Sequence, residues 1–339
     1  MSNKKFFNAL ENIPQPTPPI WFMRQAGRYH SHYQNLKTKN SFVELCKTPS
    51  LAAETALGPI ESFDFDVAIL FSDILFPLES LGMELTYSPG PKFGNCLTEE
   101  SYKKVFKNKF DINSLSFQGE ALQRTLEVLP EDKSLIGFVG GPCTLLAYAM
   151  GLNKISGNLK ISDFQWGVLN DVLIPTISEN IEMQLNAGAE LIMIFDSSAH
   201  LLGTDDFTKY IEKMFDQIFT KFSKKIGYYA KDYIDYDAII SLNGSKGSCL
   251  AGVGIDSKEP LTKYFTQSRD YFIQGNFDEK KMLLPNDSMK SELEKYINGL
   301  SNFTDQQRAG WICGLGHGIL KETPEENVKT FVKMIREAF

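Results

Sequence analysis

At 339 residues with 42% hydrophobic content, 25 Phe and 13 Tyr, the chain can bury a large core, which excludes disordered and fibrous classes. A formal charge of −7 with no basic run or stripe argues against a nucleic-acid surface, so an anionic ligand would need local arginines. Five scattered cysteines, Cys46, Cys96, Cys143, Cys249 and Cys313, form no C-x-x-C pair, which argues against a disulfide framework or a zinc ribbon and for reduced thiols.

Residues 1–15 carry lysines and a Phe-Phe pair but no apolar core of signal-peptide length, and no later run reaches membrane-spanning length. The expectation is a cytoplasmic protein with no membrane contact. Residues 20–23, Ile-Trp-Phe-Met, read as a short buried strand, because Pro18 and Pro19 exclude a continuing helix. That strand would deliver Arg24 and Arg28 to a rim. Ala26-Gly27 between them argues for close backbone approach, and guanidinium forks suit carboxylates or phosphates. A pair of solvated surface charges is equally consistent with these residues alone.

Helical spacing follows over 41–47 and 50–63, with Thr48-Pro49-Ser50 as a start signal. Residues 67–71 are uniformly apolar, as a strand buried on both faces would be, and end at Ser72-Asp73. Residues 82–94 read as a hairpin-like excursion above the main sheet. A third strand, 135–139, closes on Gly140-Gly141-Pro142, with Thr144 as the expected cap of a helix to residue 150. A long amphipathic helix over 162–186 leads to a fourth strand, 191–195, with Asp196-Ser197-Ser198 at its end.

A helix over 205–224 leads to a fifth strand, 226–230, while 231–247 yields no clear element. Residues 250–256, 271–276 and 311–315 read as strands six to eight, with a helix over 287–300. Thr323-Pro324-Glu325 starts the closing helix, with Pro324 at the first helical position. Eight strands alternating with helices predict an α/β fold: a single-domain (β/α)8 TIM-type barrel over residues 1–339 rather than an open doubly wound sheet.

In such barrels functional residues come from the carboxyl ends of different strands, where an active-site cleft forms. Arg24, Arg28, Asp73, Ser197 and His317 would then share one rim. Each also has a duller reading: Asp73 as a helix cap, Ser197 as a turn residue, His317 as a satisfied loop histidine. Gly314-Leu315-Gly316-His317-Gly318 suggests a dinucleotide turn, but Ile319 stands where the third glycine should fall. No phosphate loop or H-E-x-x-H helix is present. Cys313 and His317 as zinc ligands would lie about 13 Å apart on an extended strand.

The stretch PPIWFMRQAGRYHSHY closely resembles the N-terminal signature of the uroporphyrinogen decarboxylase family. The resemblance recurs in the family's order through VAILFSDIL with Asp73, GFVGGPCTLLAYAMG with Tyr148, LIMIFDSSAH with Ser197, IQGNFD and GLGHG with His317. It implies a homodimeric (β/α)8 barrel that uses no metal or organic cofactor and converts the four acetate side chains of uroporphyrinogen to methyl groups. By position it implies Asp73, Arg24, Arg28 and Tyr148 as catalytic. Met23, Gln25, Tyr33, Lys37, Ile69, Phe195, Ser197 and His317 are implied as substrate-binding.

Four positions depart from the family. Lys37 stands in place of a third arginine, Cys143 of an aromatic, Ser257 of a tryptophan and Glu279 of a proline. Of these, Lys37 touches chemistry, since an ammonium keeps the charge but loses the planar fork. Two rivals stand beside this reading. One is a cobamide-dependent methyltransferase, whose zinc ligands find no His-x-Cys pair here; the other is a porphyrinogen-binding protein without activity.

Overall fold

The computed structural model describes residues 2–87, 90–106, 109–152, 159–232 and 235–339. Its centre is a curled, seven-stranded parallel sheet, flanked by helices and accompanied by a small antiparallel pair. In chain order the strands are β1 (Val67–Ile69), β2 (Leu85–Tyr87), β3 (Pro91–Phe93), β4 (Ser134–Gly140), β5 (Ile192–Phe195), β6 (Ile226–Tyr229), β7 (Gly252–Gly254), β8 (Phe272–Phe277) and β9 (Trp311–Leu315). The parallel sheet runs β1-β4-β5-β6-β7-β8-β9, and β2 pairs with β3.

Strands buried on both faces explain the continuous apolar runs. Alternate residues divide between two clusters, as the period of two requires. Val67, Ile69, Ile136, Met193, Tyr229, Phe272 and Ile312 form one, with Phe6 and Ala9 of the N-terminal helix Lys4–Leu10 packed into it. Ala68, Leu135, Ile192, Ile194, Ile226, Tyr228, Val253, Ile273 and Cys313 form the other with the surrounding helices.

The first expected strand is much shorter than 20–23. Only Ile20 pairs, in one parallel bridge with Cys313. Even so, the segment reaches both sheet edges. Cys313 N–H donates to the Pro19 carbonyl at 2.8 Å, and Asp66 N–H donates to the Ile20 carbonyl at 2.9 Å. The Asp66 carboxylate also accepts from Ile20 N–H at 2.8 Å. Pro18 and Pro19 lack ladder donors on one side, and on the other a turn begins where Gln25 N–H donates to the Phe22 carbonyl.

Two helices also differ from expectation for identifiable reasons. The stretch 162–186 is Asp163–Val168, a wide turn Leu169–Leu173, and Ile174–Asn186. Pro175 lacks an N–H and crowds the preceding turn, which accounts for the widening. The stretch expected over 205–224 is Thr204–Met214 followed by a wide turn Phe215–Phe219. A helix Tyr236–Ser245, capped by Asp235, occupies part of 231–247. Pro324 sits at the N-cap of Glu325–Ala338, one position before the expected one. The hairpin excursion is present as β2 and β3, with Leu85 opposite Phe93; residues 88–89 of its turn lie outside the described residues. No described helix is long and apolar enough to cross a membrane.

Candidate active site

The carboxyl ends of β1, β5, β6 and β9 carry the polar residues of interest. Arg24 follows the Ile20 bridge and has a left-handed backbone, φ 62°, which is uncommon for a residue with a Cβ. A Cβ on Gly318 would meet Arg24 Cδ at 2.6 Å, so the loop after β9 needs glycine for this arginine to pass. Ile319 N–H donates to the Met23 carbonyl at 3.0 Å, binding the two loops together. Arg24 and Arg28 are both exposed, and neither forms a salt bridge with a described residue. Their forks are available to an external anion.

Asp73 is half-buried beyond the end of β1. One carboxylate oxygen accepts the Leu75 N–H at 2.8 Å. The bond closes a local turn. The helix Phe76–Ser80 has Leu75 at its N-cap and no side-chain cap, so the helix-cap reading of Asp73 does not hold. Burial pushes the Asp73 pKa above the ordinary carboxylate value, while the Leu75 N–H, the Tyr87 hydroxyl and the Arg24 charge oppose that push.

His317 is half-buried after β9, with Nδ1 donating to the Gly318 carbonyl at 3.1 Å. Its ring stands edge-on to Tyr229 at 6.5 Å between centroids, and the Tyr229 hydroxyl donates to the Gly316 carbonyl at 3.1 Å. Burial lowers the His317 pKa below the usual histidine value; the Gly318 carbonyl raises it, and Arg24 and Lys231 lower it further. The ring is therefore mainly neutral at pH 7, with its one N–H on Nδ1 and Nε2 left as an acceptor.

Met23 and Ile69 are buried in the inner cluster, where Phe195 packs beside them. Phe195 lies 5.7 Å from Phe138 and 6.3 Å from Tyr229 between ring centroids. Tyr33 is buried against Phe71 at 5.7 Å. Ser197 and Tyr148 are half-buried, at the end of β5 and on helix Pro142–Ala149, and Lys37 is exposed on helix Ser31–Lys39. Gln25 is fully buried: its amide donates to the Val67 carbonyl at 2.9 Å and accepts the Phe22 N–H at 3.2 Å. That amide holds the arginine turn against β1.

Asp196, one residue past β5, is a feature the sequence reading passed over. It is fully buried and accepts Thr144 N–H at 2.9 Å, the Thr144 hydroxyl at 2.7 Å, the Tyr210 hydroxyl at 2.5 Å and the Tyr228 hydroxyl at 3.1 Å. Thr144 is accordingly no cap; Gly141 takes that position, and the threonine serves the aspartate. Tyr228-Tyr229 at a strand end was the available signal, two hydroxyls needing partners in a buried strand.

The departures sort similarly. Cys143 is buried, with its N–H donating to Tyr210 at 3.3 Å. Ser257 lies against Gly316, whose added Cβ would fall 2.3 Å from the serine nitrogen. Glu279 is buried with one carboxylate oxygen unpartnered among the described residues, and burial raises its pKa. The Cys313 thiol belongs to the cluster facing the helices, whereas His317 lies beyond the strand end beside Tyr229. No three His, Cys, Asp or Glu among the described residues are arranged to hold a metal.

A family model described as uroporphyrinogen decarboxylase (URO-D) matches residues 1–338. Proteins named uroporphyrinogen decarboxylase from Orientia tsutsugamushi (strain Ikeda) and Solibacter usitatus (strain Ellin6076) are 34% and 32% identical. They cover 98% of this chain and 98% and 97% of their own lengths. One from Helicobacter hepaticus is 33% identical over 98% of both chains. Among solved structures, a methyltransferase from Methanosarcina mazei superposes with a TM-score of 0.70 at 18% identity, covering 99% of this chain and 98% of its own. At that identity the likeness shows the fold.

Proposed function

The chain belongs to the uroporphyrinogen decarboxylase family, and on that premise we propose that it removes CO2 from the four acetate side chains of uroporphyrinogen III, giving coproporphyrinogen III in tetrapyrrole biosynthesis. The observation that carries the reading is Asp73, a half-buried carboxylate beyond the end of β1 on which the Arg24 charge acts, together with Arg28 exposed on the same turn as Arg24, neither guanidinium having a salt bridge to a described residue. A poly-anionic macrocycle with inward N–H groups needs both.

The chemistry requires an electron sink for the C–C bond. Protonation of the pyrrole at its α-carbon supplies one, because the ring nitrogen becomes cationic. Loss of CO2 sends the bonding pair into the ring and leaves an exocyclic methylene. A proton added there and one lost from the α-carbon restore the pyrrole as a methyl derivative, so one proton is consumed per CO2. No metal or organic cofactor is needed for these steps.

Asp73 accepts the pyrrole N–H groups, each charge-assisted bond contributing about 1.5–3 kcal/mol. Its fixed negative charge favours the ring cation over the neutral ring. Arg24 and Arg28 bind side-chain carboxylates, with Lys37 adding positive charge farther out. His317, whose Nδ1–H is held by the Gly318 carbonyl, meets a peripheral carboxylate through Nε2, which takes up a proton to do so; Ser197 and Tyr148 complete the polar rim. Met23, Ile69, Phe195 and Tyr33 supply the apolar wall, and Gln25 acts through the turn it holds. Residues 19–21, bonded to both sheet edges, are the eighth stave of a closed barrel, and the chain is one cytoplasmic barrel domain that forms a homodimer.

The test is turnover of uroporphyrinogen III under anaerobic reducing conditions with a chelator present, resolving products by carboxylate number. Coproporphyrinogen formation is expected. Tight binding without CO2 release would instead establish a non-catalytic binder, and activity lost on removal of stoichiometric zinc would favour the methyltransferase-like alternative.

A further inference from the structure

Tyr87 ends β2 of the hairpin expected over 82–94, and it is none of the residues assigned to the site above. Its ring is clamped by Phe42 at 4.9 Å and Phe76 at 6.3 Å between centroids. The hydroxyl is buried and makes no hydrogen bond of ordinary length and angle. It nonetheless faces the Asp73 carboxylate closely enough for each group to act on the other. A buried hydroxyl without a closed bond is uncommon and calls for a reason.

On the reading that Asp73 is the ring-binding carboxylate, we infer that Tyr87 is a positioning residue that donates its hydroxyl to Asp73 and holds that carboxylate in its working orientation. Asp73 has two oxygens. One is tied to Leu75 N–H at 2.8 Å, on the protein side. The second donor can come from Tyr87, and the two together would fix the plane of the carboxylate while leaving lone pairs for a ligand. The hairpin thereby acquires a purpose. It carries no strand of the main sheet, yet it delivers a hydroxyl to the residue beyond β1.

Among the described residues the charged and titratable surroundings are few. Arg24 acts on Asp73 from the arginine turn, the Cys46 thiol faces Asp73 from helix Phe42–Lys47 with Lys37 and Lys47 near it, and Glu79 acts on Tyr87 from helix Phe76–Ser80. Burial holds the Cys46 thiol protonated, well above the usual thiol value, so it adds no charge. A tyrosine donor stabilises the ionised carboxylate, and its removal makes Asp73 easier to protonate.

The decisive variant is Tyr87→Phe, which keeps the ring between Phe42 and Phe76. Loss of one hydrogen bond to the carboxylate is expected to lower kcat about fivefold, with a smaller change in KM. The acid limb of the kcat profile should move to higher pH. Incorporating 3-fluorotyrosine at position 87 makes the hydroxyl a stronger donor, so the limb should move to lower pH. An aromatic spacer predicts unchanged limbs in both proteins and an intact melting temperature in the Phe variant; that result overturns the inference. If the Phe variant is poorly folded, the direction of the shift in the fluorotyrosine protein decides alone. Asp73→Asn separates the layers: wild-type turnover in that variant removes the reading beneath, whereas an inactive Asn variant beside a Phe variant with unmoved limbs removes only the role of Tyr87.

Discussion

Asp73 and Asp196 both lie just past strands of the same sheet, β1 and β5, and they end in opposite conditions. Asp196 is fully buried with four donors on its two oxygens, two from Thr144 and one each from Tyr210 and Tyr228. Asp73 is half-buried, with one backbone donor at 2.8 Å. A carboxylate whose acceptor sites are filled from within stitches helix Pro142–Ala149 and helix Thr204–Met214 to the sheet. One with sites left over can take a ligand's N–H groups. Unused hydrogen-bonding capacity, more than the presence of an acid, distinguishes the two.

The largest expected effect sharpens this contrast. Asp73→Asn should reduce kcat/KM by roughly a hundred- to a thousandfold, as loss of a preorganised electrostatic group does, with little change in melting temperature. Asp73→Glu keeps the charge and shifts it by a methylene, so binding should survive better than kcat. Steady-state kinetics beside thermal melts check both, and wild-type turnover in the Asn variant would break the comparison.

Asp196→Asn should do the reverse. Its amide nitrogen would meet hydroxyl donors in a buried site, costing about 2–3 kcal/mol of stability by denaturant titration. If the Asp196→Asn protein is stable yet inactive, Asp196 serves chemistry and the contrast is misdrawn.

Arg24→Lys and Arg28→Lys each lose a bidentate fork, and roughly tenfold in kcat/KM is expected from each. Lys37→Arg, on an exposed helix position, should be tolerated within about twofold on the scale of an exposed charge contact.

The smallest effect concerns pH. Burial raises the Asp73 pKa above its ordinary 3.8, so the folded state binds this proton more tightly than the unfolded chain does. The group's contribution to stability is present below pH 3.8 and is lost as pH rises through the raised value. Asp73→Asn should therefore be slightly more stable than wild type at neutral pH, the difference fading in acid. Melting temperatures across pH measure this, and an Asn variant less stable at pH 7 would show that Asp73 supports the fold.

Periodicity and breakers in the sequence determined the order of elements, because buried parallel strands must be continuously apolar and helices between them must show one polar face. They also placed Arg24, Asp73, Ser197 and His317 at strand ends, since a polar residue directly after a buried apolar run has nowhere else to go. What the tertiary structure decided was which polar group meets which. Whether Thr144 caps a helix or serves Asp196 depends on β5 lying beside β4, a contact spanning 52 residues of chain. Tyr87 is set between Phe42 and Phe76, residues of two different helices, and local pattern carries no record of that approach. The first strand shrinks to Ile20 because pairing needs a partner's donors on both sides as well as an apolar run. Burial and partner count are sums over distant segments, so which aspartate is filled by donors from within and which keeps spare acceptor capacity was decided only when the chain had folded.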